Sequence, residues 1–537
     1  MAPAPWPLRG EFATVAEAFE AAAQQYGDAE AYVDGTGRLT FAQWLRAADA
    51  LADRFARMGL RPGDVVGIAL PPSVEYAIAT MAAIRLGAIA TGLNTRLGPR
   101  EIGSICDGCA MKLVVRQHPA SPGGLPGSVA TLDVSEVTAL WNSGASAPAP
   151  TYHGRSSDPA VIIWTSGTTG VPKGAWFDHA NLRDIAAAGG VISAPFDRRL
   201  SATPFAHAGY MGKLWDQMAW VSTYVLCPTP WSATDMARLA RTESITLAGA
   251  VPTQWEKLLD ALEADGGEIP RFRIGVVATA PAPPPLIERA RQVLGCTLVV
   301  RYAMTESPAI SGTDPEDSDR VKARTVGRAQ AGMAVRVLDG DRRPCAPNVV
   351  GDVEVAGGCV MRGYWGDPQL TSAAFTDDGW LRTNDTGFFD DGGNLVLAGR
   401  RSEMYIRGGY NVYPLEVENV LLEHPGVAEV AVVGTPARVI GEIGVAFVVA
   451  SDPARPPDAE ELASWVRARV ADYKTPDEFR FVDALPRTNM LKVDKEALRT
   501  ALLADRAVGH PPGAPVMGPE GALVSEPGLP RPSTPAS

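Results

Sequence analysis

The sequence predicts an α/β protein of layered domains with largely parallel sheets. Three observations lead there: strand-like and helical runs alternate along the chain, its 537 residues exceed what one core usually supports, and its composition is that of an ordinary globular protein. At 46% hydrophobic and 20% charged residues, it lies far from the low-hydrophobicity, high-charge corner where chains stay disordered.

From Phe41 to Met58, Leu45, Ala48, Leu51, Ala52 and Phe55 recur on one face of a helix that Gly59 stops. The turn Pro62-Gly63-Asp64 leads into a buried strand over 65–70, and residues 74–86 read as helix again. The same alternation recurs at 160–190, 245–262 and 274–302. Residues 118–158, rich in Pro, Gly, Ser and Ala, are expected to form an irregular surface connection. A strand-rich section gives way to a compact final stretch near Gly399-Arg400-Arg401. Residues 507–537 hold many Pro, Gly and Ser without apolar periodicity and are expected to be a disordered tail.

A formal net charge of −12 argues against nucleic acid or an anionic membrane as the main partner, because both are bound through clustered positive charge. The longest apolar stretch, 65–92, is broken by Pro71, Pro72, Glu75 and Arg85, so no membrane span is expected. The N-terminus lacks the basic start and apolar run of a secretory signal, and six scattered cysteines suit a reducing compartment; both point to the cytoplasm. Cys106 and Cys109 form a CxxC with no second pair or spaced histidines, which reads as coincidence rather than a metal site.

The chemistry is concentrated in Trp164-Thr165-Ser166-Gly167-Thr168-Thr169-Gly170-Val171-Pro172-Lys173-Gly174, directly after an apolar strand over 160–164. Successive backbone N–H groups in such a Gly-rich turn form an anion-binding nest, and four hydroxyls and a lysine add donors for phosphate oxygens. It lacks the GxxxxGK[ST] pattern of the P-loop NTPases, so their fold is not implied.

With this string the chain resembles the ANL superfamily of adenylate-forming enzymes, in its acyl-CoA synthetase branch, over residues of about 15 to 503. Further segments stand in the family's order: Pro204 to Gly209 around His207; Tyr302-Ala303-Met304-Thr305-Glu306; Gly379 to Asp385; Gly399-Arg400; Gly408 to Pro414, with Glu416 and Glu418; and Pro486-Arg487-Thr488 followed by Lys492. The resemblance implies a large N-terminal AMP-binding domain (1–399) of layered α/β subdomains with a β-rich portion, and a small mobile C-terminal α/β domain (400–506). It also implies an ATP-dependent acid–CoA ligase that makes an acyl-adenylate and then a thioester, using ATP, Mg²⁺ and coenzyme A on a small-molecule carboxylic acid.

Roles follow from the resemblance residue by residue. Thr165, Ser166, Gly167, Thr168, Thr169, Gly170 and Lys173 would clasp the β- and γ-phosphates. Glu306 would help hold Mg²⁺, a hard cation that favours carboxylate oxygen. Thr305 would touch the α-phosphate, Tyr302, Ala303 and Ala280 would lie near adenine, and Asp385 would accept both ribose hydroxyls. Arg400 would assist at ribose and phosphate. Lys492 would stabilise the adenylation transition state, and only eight of the 49 basic residues are lysine, so lysines at 173 and 492 suggest that arginine would not serve. Gly408 and Gly409 belong to the thioester-forming half, and His207, Tyr210, Val251, Pro252 and Thr279 would line the acyl pocket.

The sequence departs from the family pattern at Asn384, Ala303, Thr279, Leu491 and Ser402; the last stands where the interdomain hinge usually carries Asp or Lys. Three alternatives stay open: loading of a carrier protein, work mainly on acyl-adenylate made by an adenylating partner enzyme, and a catalytically silent nucleotide-binding protein. A homodimer is compatible with the sequence.

Overall fold

The computed structural model describes residues 6–507 except 36, 118–122, 145–146, 148–151, 166–171, 265, 279–281, 438–439 and 489–492. The chain divides into two compact units, Met1–Leu397 and Ala398–Ser537.

The first unit is built on two largely parallel sheets. In the nine-stranded sheet, Leu298–Met304, Ile274–Ala278, Leu247–Ala250, Arg198–Ser201, Thr223–Leu226 and Glu30–Val33 are neighbours in that order, each pair parallel. Ser307–Gly312 folds back antiparallel on Leu298–Met304. In the seven-stranded sheet, Pro159–Thr165, Ile89–Gly92, Val65–Ala69, Leu113–Arg116 and Ala130–Asp133 run parallel. Lys173–Asp178 pairs antiparallel with Pro159–Thr165, and Gly363–Tyr364 pairs antiparallel with Lys173–Asp178. A four-stranded sheet follows, in which Met333–Leu338, Gly351–Gly357 and Leu381–Phe389 pair antiparallel. Its fourth strand, Leu395–Arg400, carries the chain into the second unit.

Helices form where the sequence supplies both a cap and an apolar face. Phe41–Arg57 starts on a capping box, Thr40 with Gln43, and buries Trp44, Leu51 and Phe55. Val74–Arg85 is capped by Ser73 and buried on every side, as a helix between layers must be. The expected irregular connection at 118–158 is corrected: it contains the strand Ala130–Asp133 and the helix Val134–Ser143. Parallel register with Leu113–Arg116 orders the strand, and Asp133 caps the helix, whose Val137 is buried. The Pro, Gly and Ser on either side of 129–143 hid a strand edge and a helix whose Val134, Leu140 and Trp141 pack against the core. Ala507, expected to open the tail, ends the helix Lys495–Ala507, and 508–537 lie outside the described residues. Among the described residues, no helix is long and apolar enough to cross a membrane.

Cys106 and Cys109 both pack in an apolar cluster, and burial pushes their thiols up to about 11 and about 12. The second unit carries its own sheet, in the order Tyr410–Val412, Tyr405–Arg407, Gly441–Ala450, Val427–Ala437, with Glu478–Phe481 also on Gly441–Ala450. Helices Pro414–Leu422 and Ala459–Arg467 pack their apolar residues into this unit's core.

His179, buried at the start of helix His179–Ala188, accepts a hydrogen bond at Nδ1 from the Val15 N–H, 3.2 Å away, and so ties the first helix to the body of the unit. Burial lowers its pKa from 6.5 to about 4, against the opposing pull of Asp158, Asp178 and Glu17. The unfolded chain therefore takes up this proton near pH 6.5 and the folded chain only near 4, so the stabilisation is complete above 6.5 and is lost as pH falls towards 4. His179→Asn, which keeps an acceptor without the titration, should flatten the melting-temperature profile across that window by the equivalent of roughly 3 kcal/mol. Calorimetric scans from pH 8 to 4 that fall equally steeply for both proteins would refute the assignment.

Candidate active site

Parallel strands present their carboxyl ends at one edge of a sheet, and several of the residues singled out by sequence stand there. In the nine-stranded sheet, Arg198–Ser201 leads to His207, Leu247–Ala250 to Val251 and Pro252, and Leu298–Met304 contains Tyr302 and Ala303 and leads to Thr305 and Glu306. The register pairs Ala250 with Val277 and Ala278 with Arg301, so these exits are adjacent. Thr279 and Ala280 follow Ile274–Ala278 in sequence and lie outside the described residues.

In the seven-stranded sheet, Pro159–Thr165 and Lys173–Asp178 bracket the phosphate-loop string, with Thr165 paired to Lys173. Ser166, Gly167, Thr168, Thr169 and Gly170 themselves lie outside the described residues. The incoming strand is pinned by Trp164, whose Nε1–H donates to Thr91 Oγ1 at 2.8 Å, while Thr91 donates to the Ile162 carbonyl.

Glu306 is buried in the reverse turn between Leu298–Met304 and Ser307–Gly312, and its Oε1 accepts a hydrogen bond of 2.8 Å from the Tyr364 hydroxyl. The Lys173 ammonium sits 5.9 Å from the centre of the same tyrosine ring. Burial, then the Glu306 carboxylate, pushes the Tyr364 hydroxyl far above the usual tyrosine range, so it stays protonated and donates to Glu306. Tyr364 thus joins two residues that sequence reasoning had placed on phosphate and metal, and that reasoning missed it. It lies 58 residues from Glu306, and the pairing of Gly363–Tyr364 with Lys173–Asp178, with the Met361 N–H donating to the Glu306 carbonyl, brings it in.

Tyr302 donates its hydroxyl to Asp385, which stands on Leu381–Phe389 of the four-stranded sheet. The Asp385 N–H in turn donates to Thr383 Oγ1 at 3.1 Å. Asn384, just before it, has a φ of +61°, a left-handed conformation that asparagine tolerates better than most residues.

His207 precedes the short helix Ala208–Met211, and its Nε2 lies 3.3 Å from Asn94 Nδ2, a partner sequence reasoning also missed. Asn94 follows Ile89–Gly92, and the close approach depends on Gly92: a Cβ there would stand 2.4 Å from Ala206 Cα. Tyr210 turns inward, stacked at 3.6 Å on Phe205 and bonded at 2.8 Å to the Tyr32 hydroxyl, so its ring belongs to the core behind His207.

The remaining assignments fall in the second unit. Gly408 and Gly409 form the two-residue turn of the hairpin Tyr405–Arg407 to Tyr410–Val412, with φ of +57° and +88°, as such a turn requires at both positions. Arg400 ends Leu395–Arg400 and is exposed. Lys492 lies outside the described residues; Arg487 and Val493, on either side, pair in an antiparallel bridge.

The geometry fits a nucleotide accompanied by a divalent cation. Among the described residues no cluster of three or more His, Cys, Asp or Glu exists. Glu306 suits such a cation, since no described residue donates a hydrogen bond to its Oε2.

Comparison with known proteins agrees. The description "AMP-binding enzyme" matches residues 19–365, and "AMP-binding enzyme C-terminal domain" matches 416–492. A long-chain-fatty-acid–CoA ligase of Mycobacterium tuberculosis, FadD13, is 33% identical over 486 residues, covering 88% of this chain and 95% of its own length. The solved o-succinylbenzoate CoA synthetase of Bacillus subtilis with its acyl-adenylate intermediate superimposes with a TM-score of 0.80 at 29% identity, covering 92% of this chain and 98% of that one. The same enzyme with ATP and magnesium ion gives 0.79, again at 29% identity, covering 90% and 99%.

Tyr364→Phe removes the donor that fixes Glu306 and leaves the ring in place. A hydrogen bond to a charged group contributes about 1.5–3 kcal/mol, so titration of Mg²⁺-nucleotide should show affinity weakened roughly tenfold or more in a folded protein. Unchanged affinity would mean that Tyr364 does not orient the carboxylate.

Proposed function

This chain belongs to the AMP-binding enzymes, and from that membership we propose how its own residues divide the work of an AMP-forming, ATP-dependent acid–CoA ligase. Such an enzyme joins a carboxylic acid to the α-phosphate of ATP, releases pyrophosphate, and passes the acyl group to coenzyme A. A carboxylate is a weak nucleophile and its carbonyl a poor electrophile, so the first step rests on positioning and on neutralising charge that builds as pyrophosphate leaves.

The observation that carries the assignment is the Glu306–Tyr364–Lys173 arrangement at the carboxyl edge of two sheets. In our reading, residues 165–173 hold the β- and γ-phosphates, with Lys173 beside Tyr364. Thr305 meets the α-phosphate. Glu306, fixed by Tyr364, would hold Mg²⁺, which supplies positive charge to the phosphates. Asp385 accepts the ribose hydroxyls, and the Tyr302 hydroxyl keeps that carboxylate oriented. Tyr302, Ala303, Thr279 and Ala280 enclose adenine and the carboxylate end of the acid, and Arg400 assists at the ribose. His207, Val251 and Pro252 wall the acyl side. Lys492 carries positive charge to the α-phosphate and the attacking carboxylate together, whereas Gly408 and Gly409 serve thioester formation after the second unit, expected as a mobile domain, turns about the hinge. Cytoplasmic action accords with six free cysteines.

Two variants test this. Asp385→Ala should weaken AMP binding by about 1.5–3 kcal/mol for each charged hydrogen bond lost. Lys492→Ala should abolish acyl-adenylate formation from acid and ATP yet still convert synthetic acyl-adenylate and coenzyme A to thioester, read by product mass. Equal loss of both steps in a folded protein would overturn the role given to Lys492. Adenylation followed by transfer only to a carrier protein would favour the carrier-loading alternative.

A further inference from the structure

Asn94 is held on both sides along the chain. The Leu93 N–H before it donates to the Ile68 carbonyl at 2.9 Å, which extends the sheet pairing of Ile89–Gly92. After it, the Leu97 N–H donates to the Asn94 carbonyl and the Arg96 N–H to the Asn94 side-chain Oδ1, each at 3.0 Å. This Asx turn leads directly into helix Pro99–Gly108. Facing it, Ala206 packs so closely on Gly92 that a Cβ there would strike both it and the Tyr76 hydroxyl, while Phe205 is stacked on Tyr210. The bond between Asn94 and His207 therefore joins two fixed segments.

The turn settles which way the Asn94 amide faces. A backbone N–H can only donate, so the atom 3.0 Å from the Arg96 nitrogen is the amide oxygen, and the amide nitrogen is the atom 3.3 Å from His207 Nε2. An amide nitrogen also only donates, so His207 Nε2 is the acceptor, which in a neutral imidazole places the proton on Nδ1. The Nε2–H tautomer and the imidazolium would each set two donors against one another. The local backbone agrees. His207 is the N-cap of Ala208–Met211, where an acceptor side chain commonly takes a helix N–H, and its side chain takes none, as a protonated Nδ1 cannot.

We propose that Asn94 is a positioning residue that fixes His207 as the neutral imidazole with its proton on Nδ1, so that the acyl wall offers the reaction an N–H donor and holds no base at Nε2. The use in the reaction rests on the reading that His207 walls the acyl side. A histidine on the path of an acid and then of a thiol is by default a candidate base, and one whose Nε2 lone pair is taken by Asn94 is instead an oriented donor. An imidazolium there would pair with the acid's carboxylate and blunt its attack on phosphorus, whereas a neutral ring orients it without that cost.

The test uses the full chain carrying ¹⁵N-labelled histidine at about pH 8, where an ordinary imidazole is neutral. The chain has six histidines, and the His207 signals are those absent from His207→Gln. Multiple-bond ¹H–¹⁵N spectra tell a protonated ring nitrogen from a bare one. The wild type should show Nδ1 protonated, the reverse of the form that an unconstrained imidazole prefers. Asn94→Asp keeps the acceptor for the Arg96 N–H but replaces the donor to His207, so the proton should move to Nε2; Asn94→Ser keeps the turn, is too short to reach the ring, and should release it to the unconstrained form. ATP–pyrophosphate exchange with hexanoate, benzoate and 3-phenylpropanoate then reads the consequence. Asn94→Asp should lose roughly tenfold or more in kcat/KM for the acid exchanged fastest, and less than about twofold when introduced into His207→Gln, because it acts through that ring. An Nε2–H tautomer in the wild type, a tautomer unchanged in Asn94→Asp, or equal losses in both backgrounds would overturn the proposal. Nδ1–H in the wild type with exchange unaffected by His207→Gln would uphold the lock and sink the acyl-wall reading.

Discussion

Parallel pairing is the constraint on which the rest of the first unit depends. Strands that run parallel need a crossover between them, and the handedness of that crossover returns each strand to the same edge. Every carboxyl end then points the same way, and the segments leaving those ends are free of ladder hydrogen bonds and available for chemistry. Five exits used by candidate site residues, after Ile89–Gly92, Pro159–Thr165, Arg198–Ser201, Leu247–Ala250 and Leu298–Met304, all obey it. No single motif builds this site; the topology gathers it.

Three side-chain pairs turn that gathering into a fixed arrangement, and each joins one sheet to another. Tyr364 of the seven-stranded sheet reaches Glu306 beside the nine-stranded one. Asn94, leaving the seven-stranded sheet, meets His207, leaving the nine-stranded one. Tyr302 of the nine-stranded sheet reaches Asp385 of the four-stranded one. Sheets held only by apolar packing are placed by volume, which tolerates small shifts. Directional bonds at the seams fix the distances between the groups proposed to meet nucleotide and acid, where a misplacement of about 1 Å is costly.

What the sequence disclosed divides along the same line. Periodicity placed Phe41–Arg57, Val65–Ala69 and Val74–Arg85 to within a residue or so, because each buries a regular face. Asn384 could be read as a left-handed position, since few other side chains tolerate one. The helix Val134–Ser143 escaped notice because its apolar residues, Val134, Val137, Leu140 and Trp141, stand between Pro-, Gly- and Ser-rich flanks that masked their spacing. Tyr364 and Asn94 escaped for a different reason: their importance lies in partners 58 and 113 residues away, and local pattern carries no trace of such a pairing. Tyr210 illustrates the opposite error of inference, for adjacency to His207 in sequence says nothing about which way a ring turns.

Ser402 was the departure that most affected the reading of the second unit, because a neutral residue there removes a charge from the expected hinge. Within that unit the neighbouring Glu403 takes part in a tight ionic cluster instead. Lys495 Nζ lies 2.7 Å from Glu403 and 2.8 Å from Glu418, whose Oε1 also accepts the Val432 N–H at 2.7 Å. Removing one member of such a largely buried group costs about 3–5 kcal/mol, so the cluster holds. Lys495 is three residues beyond Lys492, and Glu403 three beyond Arg400. The helix Lys495–Ala507 is therefore anchored at its first residue to the segment that follows Arg400, inside one unit. The cluster lies wholly within the second unit and needs no charge at position 402.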